Sequence, residues 1–150
     1  MSRFNFSLQP LLNLRGREEE VQQRKVAEWE RKRLEIEGRL RVCQEGIAGG
    51  KRELGESLVG VLNLDDLRSR ANGTLHSLRE AQRLAVELSG VYRQLEAARA
   101  ILIEAARARR VVELLRDRRF AAWKRRMSKA EDAALDELTV MAAARKETSL

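Results

Sequence analysis

The chain has 150 residues, 35% of them charged and only 4% aromatic, with a net charge of +7. So few rings cannot fill the deep core of a globule, and the weight of Ala, Glu, Lys, Leu and Arg is that of long helices and coiled coils. No apolar run approaches the roughly 18 residues of a membrane span, the short stretch at 8–14 lacks signal-peptide architecture, and a lone Cys43 excludes an internal disulfide framework, so the expectation is a cytoplasmic protein.

The only proline is Pro10, and residues 11–150 contain none. Ser7 is a suitable N-cap with Leu8 as the first helical residue, and Phe6 before it is placed to staple onto Leu11. Pro10 is tolerated there because first-turn amides have no intrahelical acceptor. Apolar residues then recur at alternating steps of three and four, in a seam through Leu12, Val26, Trp29, Ile36, Leu40, Cys43 and Ile47. A repeat of 3.5 residues keeps one stripe facing a partner helix. Arg15, Glu19 and Gln22 are polar interruptions of that seam, of the kind that fixes register. The spacing predicts helix one over about 8–61.

Gly46, Gly49, Gly50, Gly55 and Gly60 crowd the end of this helix. Each costs about 1 kcal/mol relative to alanine in a helix interior, so the stretch 46–60 is expected to be frayed or kinked. Asn63-Leu64-Asp65-Asp66 reads as a turn over 62–65, with Asn63 ending one helix and Asp65 capping the next. Helix two is predicted over about 66–146, with Asn72-Gly73 a weak point near its start. Its seam runs through Leu84, Leu88, Val91, Leu95, Ala98, Leu102, Arg109 and Val112 to Trp123. It continues with drift through Met127, Ala130, Ala134, Leu138 and Met141. The fold expected is all-α: an antiparallel two-helix coiled-coil hairpin, residues 1–150 forming one unit. With the turn near residue 64, position i faces about 128 − i, which sets Leu40 near Leu88 and Leu8 near Phe120. Residues 125–150 are then left as an overhang of the longer C-terminal helix.

The charge is unevenly spread. From Arg99 to Lys129 there are 11 Lys/Arg against 3 Asp/Glu, while the rest of the chain has 19 against 20. The whole basic excess lies in one stretch, which points to an acidic partner surface. Either an acidic protein or phosphates would answer to Arg107, Arg109, Arg110, Arg116 and their neighbours; a solvated helix face is the plain alternative. Exposed Phe120, Trp123 and Met127 on the unpaired helix favour a protein, since Trp and Arg are the common anchors of interfaces. Trp123 is also spaced to lie under Arg119 as an intrahelical cation–π pair.

Catalytic constellations are missing. His76 is the only histidine, Cys43 at a seam position reads as a small core residue, and Gly49-Gly50-Lys51 lacks the spacing of a phosphate loop. No His and Cys cluster suggests a metal. The reading is a protein without catalytic residues, cofactor or small-molecule substrate.

Both ends resemble the flagellar FliJ family. Phe4-Asn5-Phe6-Ser7-Leu8-Gln9-Pro10-Leu11-Leu12-Asn13-Leu14-Arg15, followed by Glu18 or Glu19, is similar to that family's aromatic–leucine–arginine start. Glu131, Leu135-Asp136-Glu137-Leu138 and Arg145 are similar to its closing acidic motif. The resemblance implies a component of the flagellar type III export apparatus: a central stalk in the hexameric export ATPase, and a cochaperone that couples it to the membrane export gate and escorts export chaperones. It implies ATPase binding through Arg118, Arg119, Trp123, Arg125 and Arg126, and gate binding through Leu75, Leu78 and Ala81. Thr74 and Asn72-Gly73 depart from the family's pattern at the latter, and packing of Leu75 and Leu78 on residues 59–62 is the structural alternative. Two other functions stay open: the stalk of a virulence-type secretion system, and a nucleic-acid-binding basic coiled coil.

Overall fold

The computed structural model describes residues 3–147, which contain two long helices and no strand: α1, Gln9–Ser57, and α2, Leu64–Glu147. The chain divides into two compact units. One is Glu20–Glu104; the other holds the described residues up to Glu19 together with those from Ala105 onward.

The first unit is built on the predicted seam. Ile36, Leu84 and Val91 form a buried cluster, and Trp29, Leu40, Cys43 and Leu88 pack against it. Leu84 and Leu95 are the largest side chains fully withdrawn from solvent, at 0% and 1% exposure. Leu40 and Leu88 thus meet at one cluster, as 128 − i requires. Polar contacts flank the seam: Tyr92 Oη donates to Glu37 at 2.7 Å, and Arg39 and Arg70 pair with Glu80 and Glu53 at 3.1 and 3.2 Å. Exposed pairs of this kind contribute little each, so the apolar cluster carries most of the stabilisation.

The turn differs from the expectation in three ways. α1 ends at Ser57 rather than near 61: the Ser57 hydroxyl donates to the Leu54 carbonyl at 2.8 Å, and Gly60 adopts φ +107°, a conformation that favours glycine. Leu58, Val59, Val61 and Leu62 are exposed, so no packing draws the helix further. Asn63 caps α2 instead of ending α1, with Leu64 the first helical residue. Its Oδ1 accepts from the amides of Asp65 and Asp66, and its carbonyl accepts from Leu67. Asp65 and Asp66 sit in the first turn, where the helix dipole favours them. Gly46, Gly49, Gly50 and Gly55 are helical, so of the stretch 46–60 only the part beyond Ser57 leaves the helix; Gly73 is helical too. At Gly50 there is a positive reason for glycine: a Cβ there would meet Thr74 Oγ1 at 2.5 Å.

In the second unit, α1 starts one residue later than expected. The Phe6 carbonyl accepts from Gln9 and the Leu8 carbonyl from Leu12, each at 3.0 Å, which makes Leu8 the N-cap. The Ser7 hydroxyl is used elsewhere, accepting from Arg119 of α2 at 3.3 Å. Phe6 and Leu12 are buried. Two polar seam positions, Glu19 and Arg109, are each other's partner across the helices, and hydrogen bonding to Glu19 raises the Arg109 pKa further. From residue 128 to residue 145 every residue is exposed.

Candidate protein-docking surface

The aromatic cluster of the second unit starts with the non-helical segment before α1. Phe4 meets Phe120 edge-on with centroids 5.2 Å apart and Trp123 at 5.8 Å; Phe120 and Trp123 stack at 5.7 Å, their spacing of three residues, close to one turn, setting them side by side on α2. Phe120 is exposed, as expected, while Trp123 and Met127 are half-buried, and Phe4 gives the two rings of α2 an aromatic partner that the expectation lacked. Trp123 does not lie under Arg119: that guanidinium stands over the Phe6 ring, 5.7 Å from its centroid. The inter-element ring wins because the segment at residues 4–6 folds back against α2 and supplies aromatic partners that one helix alone cannot.

Two grooves flank Phe4. Arg3, Phe4, Asn5, Arg119, Ala122, Trp123 and Arg126 line one of about 480 Å³. The other, of about 550 Å³, includes Phe6, Gln9, Arg116 and Asp117. The structure thus brings Arg119, Trp123 and Arg126 of the expected set to one groove, while exposed Arg118 and Arg125 do not line it. Sequence reasoning missed Arg3 and Phe4 as parts of this surface; the signal was the Phe4-Asn5-Phe6 doublet ahead of an apolar helix. Nearby, Glu113 takes hydrogen bonds from Arg110 and Arg109, and the first of these chiefly holds its carboxyl below the ordinary range. A surface of guanidinium groups over aromatic walls suits carboxylates carried beside apolar side chains.

Leu75, Leu78 and Ala81 follow one another at helical spacing in the other unit. Leu75 and Leu78 are exposed and Ala81 is half-buried. Val59 and Val61 are almost fully exposed, so neither offers the packing surface of the alternative. His76 is exposed and Cys43 half-buried with a free thiol. Among the described residues no group of three His, Cys, Asp or Glu is placed to hold a metal ion, and no helix is long and apolar enough to cross a membrane.

The family model described as flagellar FliJ protein matches residues 4–148, nearly the whole chain. No curated protein and no solved structure matches it.

Proposed function

The chain belongs to the FliJ family, components of the flagellar export apparatus, and from that premise we propose that it is the central stalk of the hexameric export ATPase. In this reading residues 1–150 act as one antiparallel coiled-coil hairpin, and the stretch beyond residue 124 reaches past the first helix into the ring. Arg118, Arg119, Trp123, Arg125 and Arg126 bind the ATPase. The observation that carries the reading is the state of this end: Arg118, Arg125 and Arg126 are exposed and form no ion pair among the described residues, and Arg126 lines the groove beside the aromatic cluster. The mechanism is non-covalent. An asymmetric stalk contacts the subunits of a ring unequally, so it biases their assembly and nucleotide cycle by differential binding.

The same protein acts as a cochaperone, escorting export chaperones and meeting the membrane export gate through Leu75, Leu78 and Ala81. The exposure of two leucines there supports this contact. Its place is cytoplasmic, peripheral at the membrane through the apparatus. The decisive experiment titrates the chain against the export ATPase, and against duplex and single-stranded nucleic acid, across a range of salt. Stimulated ATP hydrolysis with weak nucleic-acid binding at physiological salt is expected, and deletion of residues 125–150 should abolish stimulation while helicity per residue is kept. Tight nucleic-acid binding with a steep salt slope and no ATPase response would overturn the stalk in favour of a nucleic-acid-binding coiled coil.

A further inference from the structure

The face of α2 turned away from the Trp123 seam carries a second stripe. At 3.6 residues per turn, Val111, Leu114, Arg118, Arg125 and Lys129 fall within an arc of roughly 80°. The same arc continues through Asp132, Asp136, Val140 and Ala143, all on the continuous helix Leu64–Glu147. Every one of these residues is exposed, with Val111 at 67% and Val140 at 68%. None of the five charged side chains forms an ion pair among the described residues, in contrast with Arg109, Arg110 and Glu113 nearer the seam. The stripe changes sign once, basic up to Lys129 and acidic from Asp132, with an aliphatic pair at its start and a smaller one at its end.

A stripe that is basic in one half and acidic in the other is complementary to itself when reversed. We infer that this face of α2 is a self-association surface, on which a second copy of the chain packs antiparallel about a two-fold axis near residue 127. In that register Arg118 of one copy lies opposite Asp136 of the other, twice over by symmetry. Leu114 lies opposite Val140 and Val111 opposite Ala143; at the axis Arg125 faces the second copy's Lys129, a like-charged pair offset by Asp132 one turn along from that lysine. Isologous contact of this kind closes at two copies. A membrane surface suits the stripe less well, because an interfacial helix sets Trp and Phe opposite its basic face to enter the lipid, and here Phe120 and Trp123 are occupied by Phe4. Nucleic acid would use the basic half and be repelled by Asp132 and Asp136. The inference goes beyond the stalk reading and has a consequence for it: the dimer covers Arg118 and Arg125, so self-association and docking on a ring exclude each other.

The test is analytical ultracentrifugation of the full chain over a range of concentration, at about 50 mM and 500 mM salt. At low salt the average mass should rise from that of one chain toward twice that value, and at high salt the rise should be lost, since exposed pairs are screened. Arg118→Glu or Asp136→Arg alone should leave a monomer with unchanged helicity by circular dichroism. The double variant Arg118→Glu/Asp136→Arg keeps the net charge and reverses the pair, so it should dimerise again. A chain that stays monomeric at every concentration, or single variants that associate like the parent, or a double variant that remains monomeric, would overturn the inference. None of these readouts involves the ATPase, so they stand or fall apart from the stalk.

Discussion

Removing the Phe4 ring tests whether the segment before α1 holds the second unit together. Phe4→Ala loses two ring contacts, to Phe120 at 5.2 Å and to Trp123 at 5.8 Å. Aromatic pairs contribute about 0.5–1.5 kcal/mol each beyond area burial, so the loss should be about 1–3 kcal/mol against local opening of this end. The chain has two tryptophans, and a Trp29→Phe background leaves Trp123 as the only indole. In that background Phe4→Ala should shift Trp123 emission to the red. Exchange of the Leu12 amide, whose bond to the Leu8 carbonyl opens α1, should quicken. A double-mutant cycle of Phe4→Ala with Trp123→Ala isolates the pair and should give a coupling of about 0.5–1.5 kcal/mol. No coupling, with emission and exchange unmoved, would refute the reasoning and make the segment a passive lead-in.

Leu84→Ala, at the best-buried position, should cost about 2–5 kcal/mol in denaturant unfolding, through lost burial and the cavity left at the Ile36–Val91 cluster. Glycine positions should respond in opposite ways. Gly38→Ala has nothing within 4 Å of the new methyl and should stabilise by about 0.5–1 kcal/mol, whereas Gly50→Ala should stabilise only when Thr74→Ala removes the hydroxyl 2.5 Å away. Melting curves of the three variants separate the two cases. The carboxyl of Glu80 is held below its ordinary range, chiefly by hydrogen bonding to Arg83 and then by the charges of Arg83 and Arg39. A depressed folded value means that its stabilisation is complete above the ordinary carboxylate range, about 4 to 4.5, and is lost as pH falls through the folded value. Glu80→Gln should therefore flatten the acid limb of a stability–pH curve; an unchanged limb would show that the pair contributes nothing.

Much of this fold was written along the chain, because a helix seam is a local code. The steps of three and four through Trp29, Ile36, Leu40, Leu84, Leu88 and Val91 specify which side chains leave water, and a fold-back near residue 64 sets their pairing without knowledge of anything distant. Glu19 and Arg109, polar at seam positions on different helices, were legible as interruptions and pair at the register that the apolar residues imply. The family was legible at the ends, where Phe4 to Arg15 and Glu131 to Leu138 carry the resemblance.

Tertiary structure decided what depends on competition between partners. Ser7 is a good cap by composition, yet its hydroxyl faces Arg119 and Leu8 takes the cap position. Arg119 had a tryptophan one turn away and stands over Phe6 instead, because a non-helical segment brings two phenylalanines to α2. Asn63 was expected to end the first helix, and hydrogen bonds from the Asp65 and Asp66 amides make it the cap of the second instead. Gly50 looked like weakness from propensity alone and is room for Thr74 across the interface. Periodicity determines which face of a helix is apolar, since that needs only near neighbours; which cap, cation or glycine is used, and for what, is fixed only when a second element arrives to compete for it.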